Sequence, residues 1–176
     1  MALKSTVHKF RVSLNDLNRS LFETAELTVA LHPSETVERM VVRVLAWCLN
    51  AQENLVFCKG LSDVDEPDLW VRTLDDQVAL WIDVGEPASD RVKRASRQAR
   101  QVRVYCFNHK APQWWTTVQR EMGQHGAEVF RFEWDAVVAL AATVERTGDW
   151  SVTVSEQTLF VTTAQGDVAL ELEQLG

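Results

Sequence analysis

Two aspartates in the middle of the chain are the side chains best placed to do chemistry. Asp68 follows Pro67 at the head of an apolar run, and Asp83 lies inside a second run, Val-Ala-Leu-Trp-Ile-Asp-Val. Aspartate is depleted in strands because its short side chain prefers turns and needs water or a partner. These two positions therefore need an explanation beyond packing.

A hairpin that joins the two runs would bring these aspartates together. If it closes at residues 75–76, Trp70 faces Trp81, and the same register places Asp68 opposite Asp83. Directly opposed residues have Cβ atoms roughly 4.5–5.5 Å apart, where like charges repel, so such a pair usually shares a proton or binds a cation. The register thus predicts an acidic metal site, although a three-residue loop would shift it by one. The alternative is that Asp83 lies at the strand end, caps the Gly85 turn or pairs with a nearby arginine.

A basic segment follows the second aspartate. Residues 91–103 carry six cations and no acid, although the whole chain has a net charge of −7. Lys93, Arg97 and Arg100 recur at helical spacing on one face. Because lysine and arginine hold the phosphates of nucleic-acid backbones, the segment predicts either a phosphate-binding surface or a solvated helix face. The negative total argues against indiscriminate binding to nucleic acid or anionic membranes.

Hydrophobic periodicity predicts the elements that must position these residues. The predicted strands are 5–14, 21–31, 55–57, the hairpin run 68–74, 78–84, 102–107, 127–132 and a terminal antiparallel meander at 150–154, 158–163 and 167–173. The predicted helices are 34–50, with Ser34 as its cap, and 89–100, 113–123 and 135–146. The strand–helix–strand order after Asp83 indicates a parallel, right-handed crossover.

Length and composition fit one soluble domain that spans residues 1–176. The element order predicts a mixed α/β fold, with a central mixed sheet flanked by helices and a second, smaller antiparallel sheet from the terminal strands. No run approaches the roughly 18–20 apolar residues of a membrane span. The N-terminus has no signal-peptide core, so we expect a cytoplasmic protein with no membrane partner.

The remaining residues exclude several kinds of chemistry. The three cysteines match no zinc spacing, and we expect them to be structural thiols. The chain contains no G-x-S-x-G, P-loop, dinucleotide fingerprint or C-x-x-C. Serine, cysteine and nucleotide-cofactor chemistry therefore have no support.

Longer motifs point to a family. The chain resembles the YaeQ family of bacterial proteins in His-Pro-Ser-Glu-Thr-Val-Glu-Arg-Met at 32–40, Asp-Glu-Pro-Asp-Leu-Trp at 65–70, Leu-Trp-Ile-Asp-Val-Gly-Glu-Pro at 80–87 and Arg-Val-Lys-Arg-Ala at 91–95. The resemblance covers nearly the whole chain. It implies a restriction-endonuclease-like core, a compact variant of the PD-(D/E)XK nuclease fold.

The resemblance also implies roles for individual residues. Asp68 and Asp83 resemble the two metal-binding acids of the nuclease motif, and Glu35 resembles the helix acid of many such nucleases. The lysine expected two residues after the second acid is absent, because that position is Gly85. Lys93 on the following helix is the residue that would take over its role.

Two functions follow from these expectations. The first is a Mg²⁺-dependent nuclease or nucleic-acid-associated protein, in which Arg94 and Arg97 hold backbone phosphates. The second is a non-catalytic factor, related to transcription or regulation, that keeps the nuclease scaffold and binds a protein partner. The opposed acids and the basic helix favour the first function, whereas the acidic total and the displaced lysine favour the second.

Overall fold

The computed structural model describes residues 4–176, which form two compact units. Unit 1 contains the described residues up to Leu49 together with Glu133–Leu172, and unit 2 contains Asn50–Phe132 together with Glu173–Gly176. Residues 1–3, which belong to the N-terminal stretch predicted to lack a signal peptide, lie outside the described residues. Unit 1 is thus built from both ends of the chain, whereas unit 2 is built mainly from its middle.

Ten strands and four α-helices make up the described part of the chain. The strands are β1 (Thr6–Asp16), β2 (Leu21–Leu31), β3 (Leu55–Phe57), β4 (Leu69–Arg72), β5 (Val78–Val84), β6 (Ala99–Cys106), β7 (Glu128–Phe132), β8 (Thr147–Ser155), β9 (Thr158–Thr163) and β10 (Gly166–Gln174). The helices are α1 (Val37–Asn50), α2 (Ser89–Gln98), α3 (Ala111–Gln124) and α4 (Trp134–Ala141). Within residues 4–176, no helix is both long and apolar enough to cross a membrane.

The strands of unit 1 follow the order β2–β1–β8–β9–β10. The predicted N-terminal hairpin and the predicted terminal meander are both present. However, β1 and β8 pair in parallel, with Val12 beside Trp150 and Leu14 beside Val152. The expectation of a purely antiparallel second sheet is therefore wrong. A parallel pair needs a long connection between its strands, and here most of the chain supplies it.

The core of unit 1 follows from strand alternation. Phe10, Val12 and Leu14 are buried, and exposed residues lie between them along β1. Phe10 meets Trp150 edge to face, with ring centroids 4.8 Å apart, an arrangement that aromatic pairs prefer. Helix α1 is buried on all sides from Met40 to Cys48, as expected for an apolar helix inside a core.

The strands of unit 2 follow the order β7–β6–β5–β4–β3. Strands β3, β4 and β5 pair antiparallel, whereas β5, β6 and β7 pair in parallel. The predicted central mixed sheet and the predicted parallel crossover after Asp83 are confirmed. The turn that leaves β5 contains Gly85, whose φ of +112° is costly for a residue with a side chain. This turn directs the chain from the end of β5 into α2.

Helix α2 is fixed in place by its apolar residues. Val92 and Ala95 are buried in the core of unit 2, in one cluster with Val104 of β6. Complete burial of a valine side chain contributes about 1.5–3 kcal/mol. Because residues three apart share one side of a helix, this burial turns most of the cations of α2 toward solvent.

Candidate functional site

Asp83 stands at the end of β5, beside Val104 of β6, and is only 2% exposed. Arg91, in the first turn of α2, donates from Nε to its Oδ2 over 2.9 Å and from Nη2 to its Oδ1 over 3.1 Å. A buried carboxylate needs such compensation, and the forked pair supplies charge and geometry together. The alternative in which Asp83 pairs with a nearby arginine is thus the arrangement that the structure contains.

Asp68 lies directly before β4 and is also only 2% exposed. Its backbone N–H donates to the carbonyl of Ile82 over 3.0 Å, and its Oδ2 accepts the N–H of Val84 over 2.8 Å. A Cβ placed on Gly60 would lie 2.5 Å from its Oδ1, so the preceding loop closes tightly on this carboxylate. The structure therefore brings both acids to one end of β5. Asp68 bonds to backbone groups on either side of Asp83.

The hairpin formed by β4 and β5 agrees with the prediction at its centre and differs at its turn. Trp70 faces Trp81 as predicted, because an irregularity between Val71 and Arg72 offsets the shift of one residue that the three-residue loop introduces. The predicted two-residue turn is wrong, because Thr73 N–H donates to the carbonyl of Gln77 and leaves three residues between them. The last of these, Asp76, has a φ of +66°, the left-handed conformation that closes three-residue hairpin loops.

The two acids do not fit a resident Mg²⁺ ion in this arrangement. Both oxygens of Asp83 accept hydrogen bonds from Arg91. One oxygen of Asp68 accepts the N–H of Val84, and the other lies close to Gly60. Mg²⁺ needs near-octahedral oxygen ligands at about 2.0–2.1 Å, which would require the guanidinium to leave. Among residues 4–176, no group of three or more His, Cys, Asp and Glu side chains is arranged to hold a metal ion. The magnesium site remains a prediction.

The other predicted residues of α2 lie apart from this pair. Lys93, Arg94 and Arg97 are exposed. Among the described residues, their side chains form no hydrogen bond and no ion pair, so nothing ties Lys93 to either acid. Of this basic segment, Arg91 is the residue that the structure brings to Asp83. The three exposed cations are free to meet an anion from solvent.

A groove of about 680 Å³ lies beside the end of α2, and we call it the Trp70 groove. Its aromatic and charged lining residues are Trp70, Arg72, Arg97, Arg100, Asp65 and Asp76. The guanidinium of Arg72 lies over the Trp70 ring, 5.0 Å from the centroid, and pairs with Asp76. Arg100 donates to the side-chain oxygen of Gln77 over 2.8 Å. The groove therefore combines an aromatic face with one more cation than acids.

Glu35, predicted as a third catalytic acid, belongs to unit 1, whereas Asp68 and Asp83 belong to unit 2. Its side chain is 2% exposed. Arg43 donates to both of its carboxylate oxygens, over 2.6 and 2.8 Å, and Arg39 donates to one of them over 2.7 Å. Two guanidinium groups thus enclose one carboxylate, which gives Glu35 a clear structural role.

The three cysteines, Cys48, Cys58 and Cys106, are free thiols. Burial raises the pKa of each from 9.0 to about 12, and the charges of Glu66 and Asp68 add to this effect at Cys58. A thiol with such a pKa stays protonated at neutral pH and is a poor nucleophile. These cysteines agree with the structural role expected of them.

We expect the protein to lose stability above pH 9 because of Cys48 and Cys106. An unfolded thiol ionises near its ordinary pKa of 9.0, whereas the folded thiol ionises near 12. The stabilisation is therefore complete below pH 9 and is lost between pH 9 and about 12, at about 1 kcal/mol per thiol by pH 10. Urea unfolding at pH 8, 9 and 10 measures this loss. The double variant Cys48→Ala/Cys106→Ala should lose less over the same range, and an equal loss would argue against the thiols.

Sequence reasoning missed two parts of this site. The only signal for Gly60 was its place in the acidic loop before Pro67, and its contact with Asp68 depends on how that loop folds back. The groove beside Trp70 was missed because its lining comes from the hairpin, the acidic loop and the end of α2. Such convergence of separate segments leaves no local motif.

Fold and site together define an α/β protein with a buried aspartate–arginine pair at the end of a central strand and a cation-rich helix beside it. The sequence matches the family described as YaeQ protein over residues 1–172. Relatives from Salmonella typhi and Escherichia coli strain K12, both described as "Uncharacterized protein YaeQ", are 37% and 36% identical over 174 residues. Each match covers 98% of this chain and 96% of the relative.

Two solved structures are similar over nearly their whole length. The YaeQ protein from Pseudomonas syringae superposes with a TM-score of 0.93 at 38% identity, covering 98% of this chain and 96% of that chain. The YaeQ protein from Xanthomonas axonopodis pv. citri gives a TM-score of 0.94 at 33% identity, with coverages of 97% and 98%. This chain belongs to the YaeQ family, as its motifs predicted.

Proposed function

We propose that this chain is a nucleic-acid-associated protein, in which α2 holds the phosphates of a single strand and the Trp70 groove holds a base. The observation that carries the proposal is the set of exposed cations on α2, Lys93, Arg94 and Arg97, which have no partner among residues 4–176. Cations of this kind contact backbone phosphates. Trp70, with the Arg72 guanidinium over its ring, offers a cationic and aromatic surface on which a base of any sequence can stack.

The acidic total charge of the chain is compatible with this proposal. The net charge of −7 is spread over the whole sequence, whereas residues 91–103 hold six cations and no acid. At physiological ionic strength, exposed charges more than about 8 Å apart are largely screened from one another. A strand lying on α2 therefore responds mainly to the charges near it, which are the cations of α2 and the acids of the groove and the adjoining loop.

We expect Arg94→Glu/Arg97→Glu to weaken binding of a single-stranded oligonucleotide at least about tenfold, because two phosphate contacts are lost and two repulsive charges are added. Fluorescence anisotropy with a labelled strand of about 12 nucleotides measures the affinity. Lys110→Glu/Arg120→Glu is the matched control, since it changes the net charge by the same amount. Lys110 is exposed directly before α3, and Arg120 is exposed within α3. An equal loss in the two double variants would show that only bulk charge matters.

The nuclease roles that the family resemblance implies for Asp68 and Asp83 suggest a finer proposal, in which the bound strand is cleaved with Mg²⁺ held by these two residues. The pairing of Asp83 with Arg91 counts against it. Gel analysis of a labelled strand, with Mg²⁺ and with EDTA, distinguishes cleavage from binding. Cleavage by the wild type that requires Mg²⁺ and disappears in Asp83→Asn would support the finer proposal.

The alternative is a non-catalytic interaction or regulatory factor with a protein partner. Three exposed apolar side chains favour this alternative. Val56 lies in β3, and Leu61 and Val64 lie in the acidic loop that follows β3. Exposed apolar surface of this kind is used in protein–protein contacts when it forms a continuous patch. If the wild type fails to bind oligonucleotides even at low salt, this alternative becomes the better explanation.

A further inference from the structure

Arg91 is the point at which four oxygen atoms of unit 2 converge. Besides its two hydrogen bonds to the carboxylate of Asp83, at 2.9 and 3.1 Å, it donates to the carbonyls of Val64 over 2.9 Å and Glu66 over 3.0 Å. One carboxylate and two backbone carbonyls are ligands of the kind that Ca²⁺ takes in proteins. In this molecule one guanidinium holds all of them.

The same guanidinium fastens three segments together. It joins the end of β5, the first turn of α2 and the loop 63–66, which carries three acids. The ring of Trp81 lies beneath it, with the centroid 5.8 Å from Cζ of Arg91, a distance at which cation and ring attract. Without a cation at this point, Asp83 would be a buried charge next to an acidic loop.

We propose that Arg91 is a built-in cation that takes the place of a divalent metal ion beside Asp83, and that removing its guanidinium converts the cluster into a Ca²⁺ or Mg²⁺ site. Arginine suits this role because it stays charged at every accessible pH and grips a carboxylate with two hydrogen bonds. A metal ion would have to displace all four of these hydrogen bonds to reach the oxygens. This inference does not depend on nucleic-acid binding.

Thermal unfolding of the full chain, in EDTA and in about 5 mM CaCl₂ or MgCl₂, tests the inference. In EDTA we expect Arg91→Ala to melt roughly 10 °C below the wild type. In either salt it should regain several degrees, because a bound cation stabilises the folded state. The wild type and Arg94→Ala, which removes an exposed arginine from the same helix, should shift by less than about 1 °C.

Two further measurements locate the effect. Asp83→Asn/Arg91→Ala should not respond to either cation, since the carboxylate that holds the cation is gone. If Arg91→Ala is unfolded in EDTA, a folded circular-dichroism spectrum regained in CaCl₂ is the equivalent positive result. The inference is overturned if Arg91→Ala responds to neither cation, or if the wild type is stabilised as strongly as the variant.

Discussion

Glu35→Ala is expected to lower the free energy of unfolding by about 3–5 kcal/mol, because it leaves the charges of Arg43 and Arg39 without their shared partner. Arg43 is almost as buried as Glu35 itself, so water cannot replace the lost carboxylate. For a chain of this length the midpoint of thermal unfolding should fall by roughly 10 °C. Urea and thermal unfolding followed by circular dichroism measure both quantities.

Glu38→Ala is the matched control for this experiment. Glu38 lies in the first turn of α1, and its side chain forms no ion pair within the described residues, so its loss should cost less than about 1 kcal/mol. Similar costs for the two variants would mean that the network around Glu35 adds no stability. Oligonucleotide affinity should be unchanged in folded Glu35→Ala, whereas a clear loss would support the site role implied by the resemblance.

Gly60→Ala is expected to lower the free energy of unfolding by about 2–3 kcal/mol, for two reasons. Gly60 has a φ of +49°, which alanine adopts only with strain. Its new Cβ would also lie 2.5 Å from Oδ1 of Asp68, a buried carboxylate whose other oxygen is held by the N–H of Val84. Urea unfolding of the variant measures the cost.

A control substitution at another glycine and a double variant at Gly60 and Asp68 separate these reasons. Gly123→Ala, within α3 and with no atom near the new Cβ, should stabilise the protein by up to about 1 kcal/mol. Gly60→Ala in an Asp68→Ala background should cost less than in the wild type, because the close contact is then absent. The same cost in both backgrounds would assign the whole effect to the backbone of Gly60.

The strands could largely be predicted from the sequence because each one buries alternate residues. The alternation of Phe10, Val12 and Leu14 is a local pattern. It predicts β1 whichever strands lie beside it in the sheet. The parallel pairing of β1 with β8 could not be predicted, since its partners are far apart in the chain and nothing near Val12 indicates Trp150. Pairing between distant strands is decided by the whole fold.

The ends of the helices were harder to predict because competing residues lie side by side. Ser34 was the predicted cap of α1, but its hydroxyl bonds to His32, and Thr36 accepts the N–H of Arg39 instead. Both residue types are good caps, so the local sequence does not choose between them. Helix α4 ends at Ala141, short of the predicted end near Arg146, and β8 begins at Thr147.

The candidate site was predictable in position and less so in its partners. Asp83 stood out because an acid within an apolar strand is costly in any fold. Its partner could not be chosen among six nearby cations, because Arg91 reaches it only when α2 starts at Ser89. The prediction placed Asp68 opposite Asp83, one residue pair beyond Leu69 and Ile82. Strand β4 begins at Leu69, so the observed ladder ends one pair before the two aspartates.

The salt dependence of oligonucleotide binding tests the proposed function most directly. For a single strand, the logarithm of the binding constant should fall linearly with the logarithm of salt concentration, with a slope of about −0.7 for each phosphate contacted. We expect a clear negative slope for the wild type, and a slope shallower by about 1.4 for Arg94→Glu/Arg97→Glu, which loses two contacts. Binding that does not depend on salt, or the same slope in both proteins, would contradict phosphate recognition by α2.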